Sequence, residues 1–311
     1  MRTVAVTGAT GFLGRHVAAM LQAQGCSVRV LVRREDAELA RLGCSLWLGD
    51  LENAPALEAL VDGATAVVHA AGVVRASDAA TFAVVNARGS ARVAALASRQ
   101  TGCLFVQISS LAARVPAISP YAASKAQGEA EALRHAGDMQ VVVVRPPALY
   151  GPGDPATLPL LRGLARGWLV HPRSLGARFS LLYVEDLVRL LGTLLADPPR
   201  TGTILEPDDG RAGGYGWADL AMVAQRRLGH RVRLVGVHRP PLAMAAWLAE
   251  WHGRSVAQPP ILSRGKIAEL YHRDWVSDTR GMAVVTGWRP RVDFGDGLTT
   301  TLNWYRDAGW L

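Results

Sequence analysis

Lysine and cysteine are both scarce in this chain. Among its 34 cationic residues only Lys125 and Lys266 are lysines, so a site that needs a compact ammonium group has few candidates. The three cysteines, Cys26, Cys44 and Cys103, are an odd number and show no Cys-x-x-Cys spacing. This pattern argues against a disulfide framework and predicts reduced core residues, as in a cytosolic protein.

Long apolar runs and blocks of charge are also missing. No apolar run approaches the roughly 18 residues that a membrane-spanning helix needs, and no basic-then-apolar leader opens the chain. We therefore expect a cytoplasmic protein without stable membrane insertion. The net charge of +8 comes from arginines spread along the sequence rather than from runs, so no nucleic-acid partner is expected. No metal site is predicted.

A glycine-rich turn near the N-terminus predicts a dinucleotide site. The apolar run from Thr3 to Val6 leads into this turn, and a helical pattern then continues to Gly25. Glycines at this spacing allow a tight turn and let a pyrophosphate approach the backbone at the positive end of a helix. An ordinary strand-to-helix turn is the alternative. The predicted cofactor-binding residues here are Thr7, Gly8, Thr10, Gly11, Phe12, Leu13 and Gly14.

Two arginines follow the next predicted strand, Ser27 to Val32. An acidic residue at this place would bind the ribose hydroxyls of NAD, but the chain has Arg33 and Arg34 instead. Guanidinium groups here favour the 2′-phosphate of NADP. The alternative is a pair of solvated loop arginines. We predict NADP as the cofactor and leave NAD open.

Two further strand ends carry candidate cofactor contacts. Asp50 and Leu51 follow one strand, where Asp50 would accept a hydrogen bond from the adenine amine and Leu51 would lie against the ring. Asp50 is alternatively only a helix cap. Ala70, Ala71 and Gly72 follow another strand, and their small size would let the dinucleotide lie close to the backbone.

A serine and a Tyr-x-x-x-Lys pair mark the predicted reaction site. The apolar run Leu104 to Ile108 delivers Ser109 and Ser110 to the same sheet edge, and neighbouring residues at a strand end face opposite ways. We prefer Ser110. Tyr121 and Lys125 are four residues apart in a predicted helix and therefore share one of its faces.

Two polar residues in apolar surroundings receive less specific predictions. Asn86 lies in a helical stretch from about residue 79 to 98, where a buried amide must find partners. It would tie this helix to the active-site strand or order water there, and surface exposure is the alternative. His69, on a buried strand, is expected to be a satisfied core histidine rather than an acid or base.

Strands alternate with helical patterns up to about Tyr150, which predicts βαβ units and a parallel sheet covered on both faces. The proline- and glycine-rich loop from Arg145 to Asp154 suits folding over a cofactor, and Pro147 is predicted to contact it. Trp247 and Trp251 are four apart in a later helical segment. Inward packing is favoured for them, with a lid over a lipid-like substrate or a membrane contact as alternatives.

Together these motifs resemble the extended short-chain dehydrogenase/reductase family. The resemblance rests on the glycine turn, Asn86, Ser110, Tyr121-x-x-x-Lys125 and the stretch from 145 to 154, and it runs nearly end to end. It implies an NAD(P)-dependent enzyme in which Tyr121 is the general acid or base and Ser110 aligns the substrate oxygen. Lys125 and the nicotinamide would lower the phenol pKa from its reference value of about 10.

The predicted fold class is α/β, a Rossmann-type doubly wound parallel sheet with a smaller, mostly helical C-terminal substrate domain. We assign residues 1–170 to the dinucleotide-binding domain, with 181–206 returning to it. Residues 171–180 and 207–311 form the predicted substrate-binding region.

The leading hypothesis is an NADP-preferring oxidoreductase that interconverts a secondary alcohol and a ketone on a small, fairly apolar substrate. A nucleotide-sugar epimerase or dehydratase with tightly bound NAD is the nearest alternative, which the basic residues Arg173, Arg178 and Arg273 leave open. A non-catalytic dinucleotide-binding or sensing protein is the third reading. The expected partner is a small-molecule substrate, and a homodimer stays open.

Overall fold

The structure, a computed structural model, describes residues 2–256 and 263–311, without the side chains of 248–256. The chain divides into two compact units. The first consists of Met1–Arg145, Val188–Leu205 and Gly281–Trp288, and the second of Pro146–Leu187, Glu206–Arg280 and Arg289–Leu311.

The secondary structure has the following bounds. The strands are β1 (Thr3–Thr7), β2 (Ser27–Val32), β3 (Ser45–Leu48), β4 (Ala66–His69), β5 (Leu104–Ile108), β6 (Gln140–Val144), β7 (Ala148–Tyr150), β8 (Trp168–Pro172), β9 (Arg178–Phe179), β10 (Leu181–Tyr183), β11 (Thr203–Leu205), β12 (Arg233–Val237) and β13 (Asp274–Trp275). The helices are α1 (Phe12–Ala23), α2 (Ala37–Arg41), α3 (Ala54–Val61), α4 (Ala79–Phe82), α5 (Gly89–Ala97), α6 (Pro120–Arg134), α7 (Leu158–Ala165), α8 (Val184–Ala196), α9 (Trp217–Leu228), α10 (Arg239–Val256), α11 (Arg264–Tyr271), α12 (Met282–Thr286) and α13 (Phe294–Asp307). A π-helical segment, Ala83–Arg88, joins α4 to α5, and short 3₁₀ segments span Leu111–Arg114 and Pro116–Ile118.

The first unit is built on a seven-stranded parallel sheet with the order β11-β6-β5-β4-β1-β2-β3. The order reverses direction between β1 and β4, which is the switch point of a doubly wound Rossmann sheet. All positions of β4 and β5 are buried, as expected for central strands covered by helices on both faces. The predicted fold class is confirmed.

One face of this sheet packs on helices α3, α5 and α6. Phe105 of β5 lies in a buried cluster with Leu57 of α3, Val93 of α5 and Ala132 of α6. Burying a large apolar side chain contributes about 1.5–3 kcal/mol relative to leaving it exposed. On α8, Gly192 lies against side chains of α1, where a Cβ would come within 3.6 Å of the Met20 sulfur.

The second unit combines helices with short parallel strand pairs, β7 with β10, β8 with β12 and β9 with β13. Its core is rich in aromatic rings, and tyrosine hydroxyl groups there also form hydrogen bonds. Tyr305 donates a hydrogen bond to the carbonyl oxygen of Asp154 at 2.6 Å, and the ring of Tyr150 packs edge-on against Phe294. Residues 146–170, assigned to the dinucleotide domain from the sequence, group with this unit. Its binding of substrate stays a prediction.

The tryptophan pair of α10 gives a mixed outcome. Trp247 is 55% exposed, so the inward packing expected for it is wrong. The side chain of Trp251 lies outside the described residues. Within the part of the chain that the structure covers, no helix has the length and apolar character required to cross a bilayer.

Candidate active site

The glycine turn between β1 and α1 packs too closely to accept larger side chains. Gly8 has φ +75°, and a Cβ built on it would lie 2.6 Å from the backbone nitrogen of Ala71. A Cβ on Gly14 would lie 2.1 Å from the carbonyl oxygen of Gly8. Helix α1 begins after Gly11 without a side-chain cap. Its first backbone N–H groups can therefore donate to an anion such as a pyrophosphate.

A cleft of about 510 Å³ opens beside this turn at the carboxyl ends of the strands. Predicted cofactor contacts among its lining residues are Gly8, Thr10, Gly11, Arg33, Asp50, Leu51, Ala70, Ala71 and Gly72. Its lining also includes Val73, Val84 and Val85, which were not predicted although they flank Gly72 and Asn86 in sequence. Phe12, Leu13, Gly14 and Arg34 are not in this lining, and the role of Pro147 in the second unit stays a prediction.

Thr7 and His69 occupy the interior behind the turn. The Thr7 Oγ1 lies 2.7 Å from Nδ1 of His69 and accepts a hydrogen bond from the Ala71 backbone nitrogen at 3.3 Å. Burial lowers the pKa of His69 to about 3, and the nearby Lys125 charge acts in the same direction. His69 is therefore a neutral core residue. Its Nε2 has no partner among the described residues, so the histidine is satisfied at one nitrogen only.

The end of β2 presents two exposed arginines, Arg33 and Arg34. Two acidic residues follow them: Glu35, which is exposed, and Asp36, which caps α2 and forms an ion pair with Arg15 at 2.7 Å. The hydrogen bond from Arg15 is the main reason that the pKa of Asp36 is lowered. With Asp36 engaged in this way, the strand end carries two exposed arginines and one exposed carboxylate, Glu35.

Asp50 has a local structural role in addition to lining the cleft. Its Oδ1 accepts hydrogen bonds from the backbone nitrogens of Glu52 at 2.9 Å and Asn53 at 3.1 Å. Asn53, rather than Asp50, is the N-cap of α3. Leu51 is buried against Gly89, where a Cβ would lie 2.7 Å from the leucine Cδ1.

The two serines after β5 face different surroundings. Ser109 is buried and donates a short hydrogen bond to Oε1 of Glu129. Ser110 is half-buried, and its Oγ accepts a hydrogen bond from the Ala112 nitrogen at 3.2 Å. The two side chains therefore differ as expected at this strand end: the hydroxyl of Ser109 belongs to a buried hydrogen-bond network, and that of Ser110 lies outside it.

Helix α6 positions the Tyr-x-x-x-Lys pair. Ser119 caps the helix by accepting from the Ala122 nitrogen at 3.0 Å, and a proline follows in the first turn. Tyr121 is half-buried, with its ring edge-on to Phe82. Lys125 is buried and donates to the carbonyl oxygen of Ile108 at 2.6 Å. Burial lowers the pKa of Lys125 to about 8, against an opposing effect of the Glu129 charge.

Asn86 is buried in the π-helical segment and makes three hydrogen bonds. Its Oδ1 accepts from the Val73 nitrogen at 2.8 Å, while its Nδ2 donates to the Val73 oxygen at 3.0 Å and to Oγ of Ser124 at 2.9 Å. The amide therefore ties the loop after β4 to α6, between Tyr121 and Lys125. The sequence left surface exposure open as an alternative, and the buried position excludes it.

Gly72 connects the cleft to this polar group. A Cβ built on Gly72 would lie 3.0 Å from Oδ1 of Asn86 and 3.8 Å from Nζ of Lys125. Gly72 also lines the cleft, so the buried ammonium of Lys125 lies behind one of the lining residues. These residues fit a dinucleotide, with backbone N–H groups for its phosphates and an ammonium for its far end.

Glu129 and Arg145 were not predicted as part of the site. Arg145 donates to both carboxylate oxygens of Glu129, from Nε at 2.9 Å and from Nη2 at 2.6 Å. A carboxylate four residues after the proposed active lysine was the available signal, because such a pair lies on one helix face. An acidic residue in a helix is usually solvated, and the sequence showed no partner for this one.

A model described as the NAD dependent epimerase/dehydratase family matches residues 4–204. The chain belongs to this family. Ceramide reductase of Caulobacter vibrioides is 39% identical over 310 residues, covering 99% of this chain and 96% of that protein. The 4-hydroxy-2-methyl-3-oxo-4-farnesyl-3,4-dihydroquinoline-1-oxide ketoreductase of Stigmatella aurantiaca is 36% identical over 182 residues, covering 52% and 54% of the two chains.

A solved structure of MoeE5 in complex with UDP-glucose and NAD has a TM-score of 0.76 to this chain, with 21% identity and 99% coverage of both chains. At this level of identity the likeness establishes the epimerase/dehydratase fold. Relatives of this chain include reductases and an epimerase, which supports an NAD(P)-dependent oxidoreductase.

Proposed function

We propose that this protein is an NADP-preferring reductase that converts a ketone on an apolar, ceramide-like lipid into a secondary alcohol. The observation that carries the proposal is the position of Lys125, whose buried ammonium lies close to Gly72, a residue that lines the cleft. Tyr121 is one turn away on the same helix. This arrangement supports proton transfer at the place where a nicotinamide ring would lie.

Each residue has a defined part in the proposed reaction. A bound NADPH supplies the hydride, which adds to the carbonyl carbon. Ser110 donates a hydrogen bond to the carbonyl oxygen, and the Tyr121 hydroxyl transfers its proton to that oxygen as the C–O double bond becomes single. Lys125, positively charged below its pKa of about 8, stabilises the resulting phenolate. Asn86 holds the helix in place through its three hydrogen bonds.

The proposed NADP preference rests on the end of β2. Arg33 and Arg34 are exposed there, and Asp36 is occupied by Arg15 and by the N-terminus of α2. A 2′-phosphate would gain charge-assisted hydrogen bonds from the two guanidinium groups. Arg33 stands at the strand end where an acidic residue usually accepts from the ribose hydroxyls of NAD, and the exposed carboxylate of Glu35 comes two residues later.

The proposed substrate class rests on the relative that matches almost the whole chain. That relative is named a ceramide reductase, and the match covers the second unit as well as the first. One of the basic residues that kept a nucleotide sugar open is already paired with a carboxylate: Arg178 with Asp219 at 2.8 Å.

The test is an assay of the purified protein with NADPH or NADH and a long-chain amide that carries a ketone. We expect NADPH oxidation with wild-type protein and at least about a thousandfold loss with Tyr121→Phe, since removing a general acid removes that order of rate. Tyr271→Phe, a half-buried tyrosine of the second unit, is the matched control.

Cofactor binding distinguishes the alternatives. Tyr121→Phe is expected to retain NADPH affinity in a fluorescence titration. NAD copurifying with the wild type, together with turnover of UDP-glucose and none of the ketone, would establish the epimerase reading instead. Cofactor binding without turnover of either substrate class, and unchanged biological activity of Tyr121→Phe, would establish a binding or sensing protein.

A further inference from the structure

The positive charge of the chain is concentrated in two stretches that lack acidic residues. Residues 155–184 and 220–249 contain nine arginines and no lysine, aspartate or glutamate. The net charge of the whole chain is +8, so the remaining residues are close to neutral together. The arginines are dispersed, as the sequence analysis noted, but the acidic residues that balance them elsewhere are missing here.

The fold brings these two stretches together in the second unit. Strand β8 from the first stretch pairs in parallel with β12 from the second, in the register Trp168 to Arg233 and Val170 to Val235. Directly paired residues of a sheet point to the same face. The exposed fractions of Trp168, Val170 and Val235 are 47%, 62% and 37%, whereas Leu169 between them is buried at 1%. One face of the strand pair is therefore both apolar and open to solvent.

Basic side chains are placed among these apolar ones. The guanidinium of Arg233 lies over the ring of Trp168, 5.4 Å from its centroid. Arg173, one residue after β8, is exposed, and Leu175 beyond it is 85% exposed. In the part of the chain that the structure describes, neither Arg173 nor Arg233 forms an ion pair with a carboxylate. We name Trp168, Val170, Arg173, Leu175, Arg233 and Val235 the strand-pair patch.

We propose that the strand-pair patch docks this protein onto the surface of an anionic lipid bilayer. Its charge is complementary to acidic headgroups, and each arginine near such a surface contributes about a factor of five to binding. Tryptophan with apolar neighbours is suited to the boundary between headgroups and acyl chains. Exposed Met244 and Trp247 lie three residues apart on α10, which begins two residues after β12, and extend the apolar character along the chain.

A bilayer fits this surface better than a nucleic acid does. Nucleic-acid surfaces gain most of their affinity from contacts to phosphates, and exposed aliphatic side chains such as Val170 and Leu175 add little there. In a bilayer the same side chains leave water. The choice also rests on the proposed function, because an enzyme that reduces a ceramide-like lipid must reach a substrate that resides in a membrane.

The experiment is flotation of the purified full-length protein with vesicles, without cofactor or substrate. One vesicle type is phosphatidylcholine alone, and the other is an equimolar mixture of phosphatidylcholine and phosphatidylglycerol. We expect binding to the mixed vesicles that weakens with salt. The double variant Arg173→Glu, Arg233→Glu is expected to bind them at least about twentyfold more weakly. The matched control, Arg99→Glu with Arg306→Glu, changes the net charge equally at two exposed arginines outside the patch and should bind like the wild type.

Trp168→Ser tests the apolar part: we expect it to bind more weakly than the wild type at low and at high salt, because salt does not screen the lost apolar contact. Equal binding by the patch variant and the control variant would overturn the proposal, as would wild-type protein that ignores mixed vesicles. Capture of duplex DNA in place of vesicles would assign the patch to nucleic acid. If the wild type does not bind vesicles but is a dimer in light scattering, and the patch variant is a monomer, the strand-pair patch would be assigned to contact with a second copy of the chain. Because vesicle binding needs no turnover, it can succeed where the proposed ketone reduction fails, and the reverse also holds.

Discussion

The buried carboxylate of Glu129 forms an ion pair with the half-buried Arg145, with Nη2 of Arg145 2.6 Å from Oε2 of Glu129. The carboxylate also accepts from Ser109, and it lies one helical turn beyond Lys125. Its charge raises the pKa of Lys125 against the larger effect of burial. We therefore regard Glu129 as a positioning residue that helps Lys125 stay protonated.

Replacing this carboxylate should alter the pH dependence of the reaction. In Glu129→Gln the pKa of Lys125 should fall below about 8, so activity that needs a charged lysine should decline at lower pH than in the wild type. We expect kcat to fall about tenfold to a hundredfold at pH 8, with little change in the KM for NADPH. Glu131→Gln, on the same helix and paired with Arg134, is the control. An unchanged pH profile in Glu129→Gln would contradict this role.

Lys125 should be required for activity and at the same time lower the stability of the fold while it is charged. Its folded-state pKa of about 8 is below the unfolded value of 10.5, so the unfolded state binds more protons between these pH values. Wild-type stability should therefore rise relative to Lys125→Met as pH increases from about 8 to about 10.5, by roughly 3 kcal/mol. Urea unfolding of both proteins across this range measures the difference, and Lys125→Met should be nearly inactive throughout. A constant difference would show that Lys125 is not desolvated.

Arg33 and Arg34 should determine which dinucleotide is used. Replacing both with serine removes the guanidinium groups that would contact the 2′-phosphate, so the KM for NADPH should rise about a hundredfold or more while that for NADH changes little. Arg41→Ser, at an exposed arginine in the last turn of α2, is the control. Steady-state kinetics with both cofactors provide the measurement. A parallel rise for the two cofactors would indicate a general loss of binding instead.

His69 should make the protein sensitive to acid. Its folded-state pKa of about 3 lies below the reference value of 6.5, so the unfolded state takes up the proton first. The stability that depends on a neutral His69 is complete above pH 6.5 and is lost as pH falls toward 3. Between pH 6.5 and 4.5 the wild type should lose about 2 kcal/mol more than His69→Gln, which does not titrate. Denaturant unfolding at each pH measures the free energy of unfolding of both proteins. An equal loss of stability in the two would assign the acid sensitivity to other groups.

The sequence predicts those parts of the fold that depend on local patterns. The bounds of α9, Trp217–Leu228, coincide with the glycines that flank it in sequence, and Gly229 adopts φ +72° at its end. The sheet of the first unit follows from apolar runs that end in small or polar residues at one edge. The glycine turn and the Tyr-x-x-x-Lys helix are likewise local: Gly8 lines the cleft, and Lys125 lies close to Gly72, another lining residue.

Long-range partners were less predictable. β8 and β12 are separated by about sixty residues, contain Pro172 and Gly236, and pair with no other strand in the described structure. Strand β12 lacks the alternation of a half-buried strand, because four successive positions, from Arg233 to Gly236, are exposed. Glu129 was overlooked for a similar reason, since its partner Arg145 follows a separate strand.

The shortage of lysine has a practical consequence for handling the protein. Lys266 has a side chain that is 52% exposed and contacts Glu269, whereas Lys125 is buried with its amine bonded to Ile108. Amine-reactive dyes and coupling resins should therefore find one accessible lysine side chain, far more reactive than the other. A probe or solid support attached through Lys266 would leave the buried amine unmodified, so the immobilised protein should keep its catalytic groups intact.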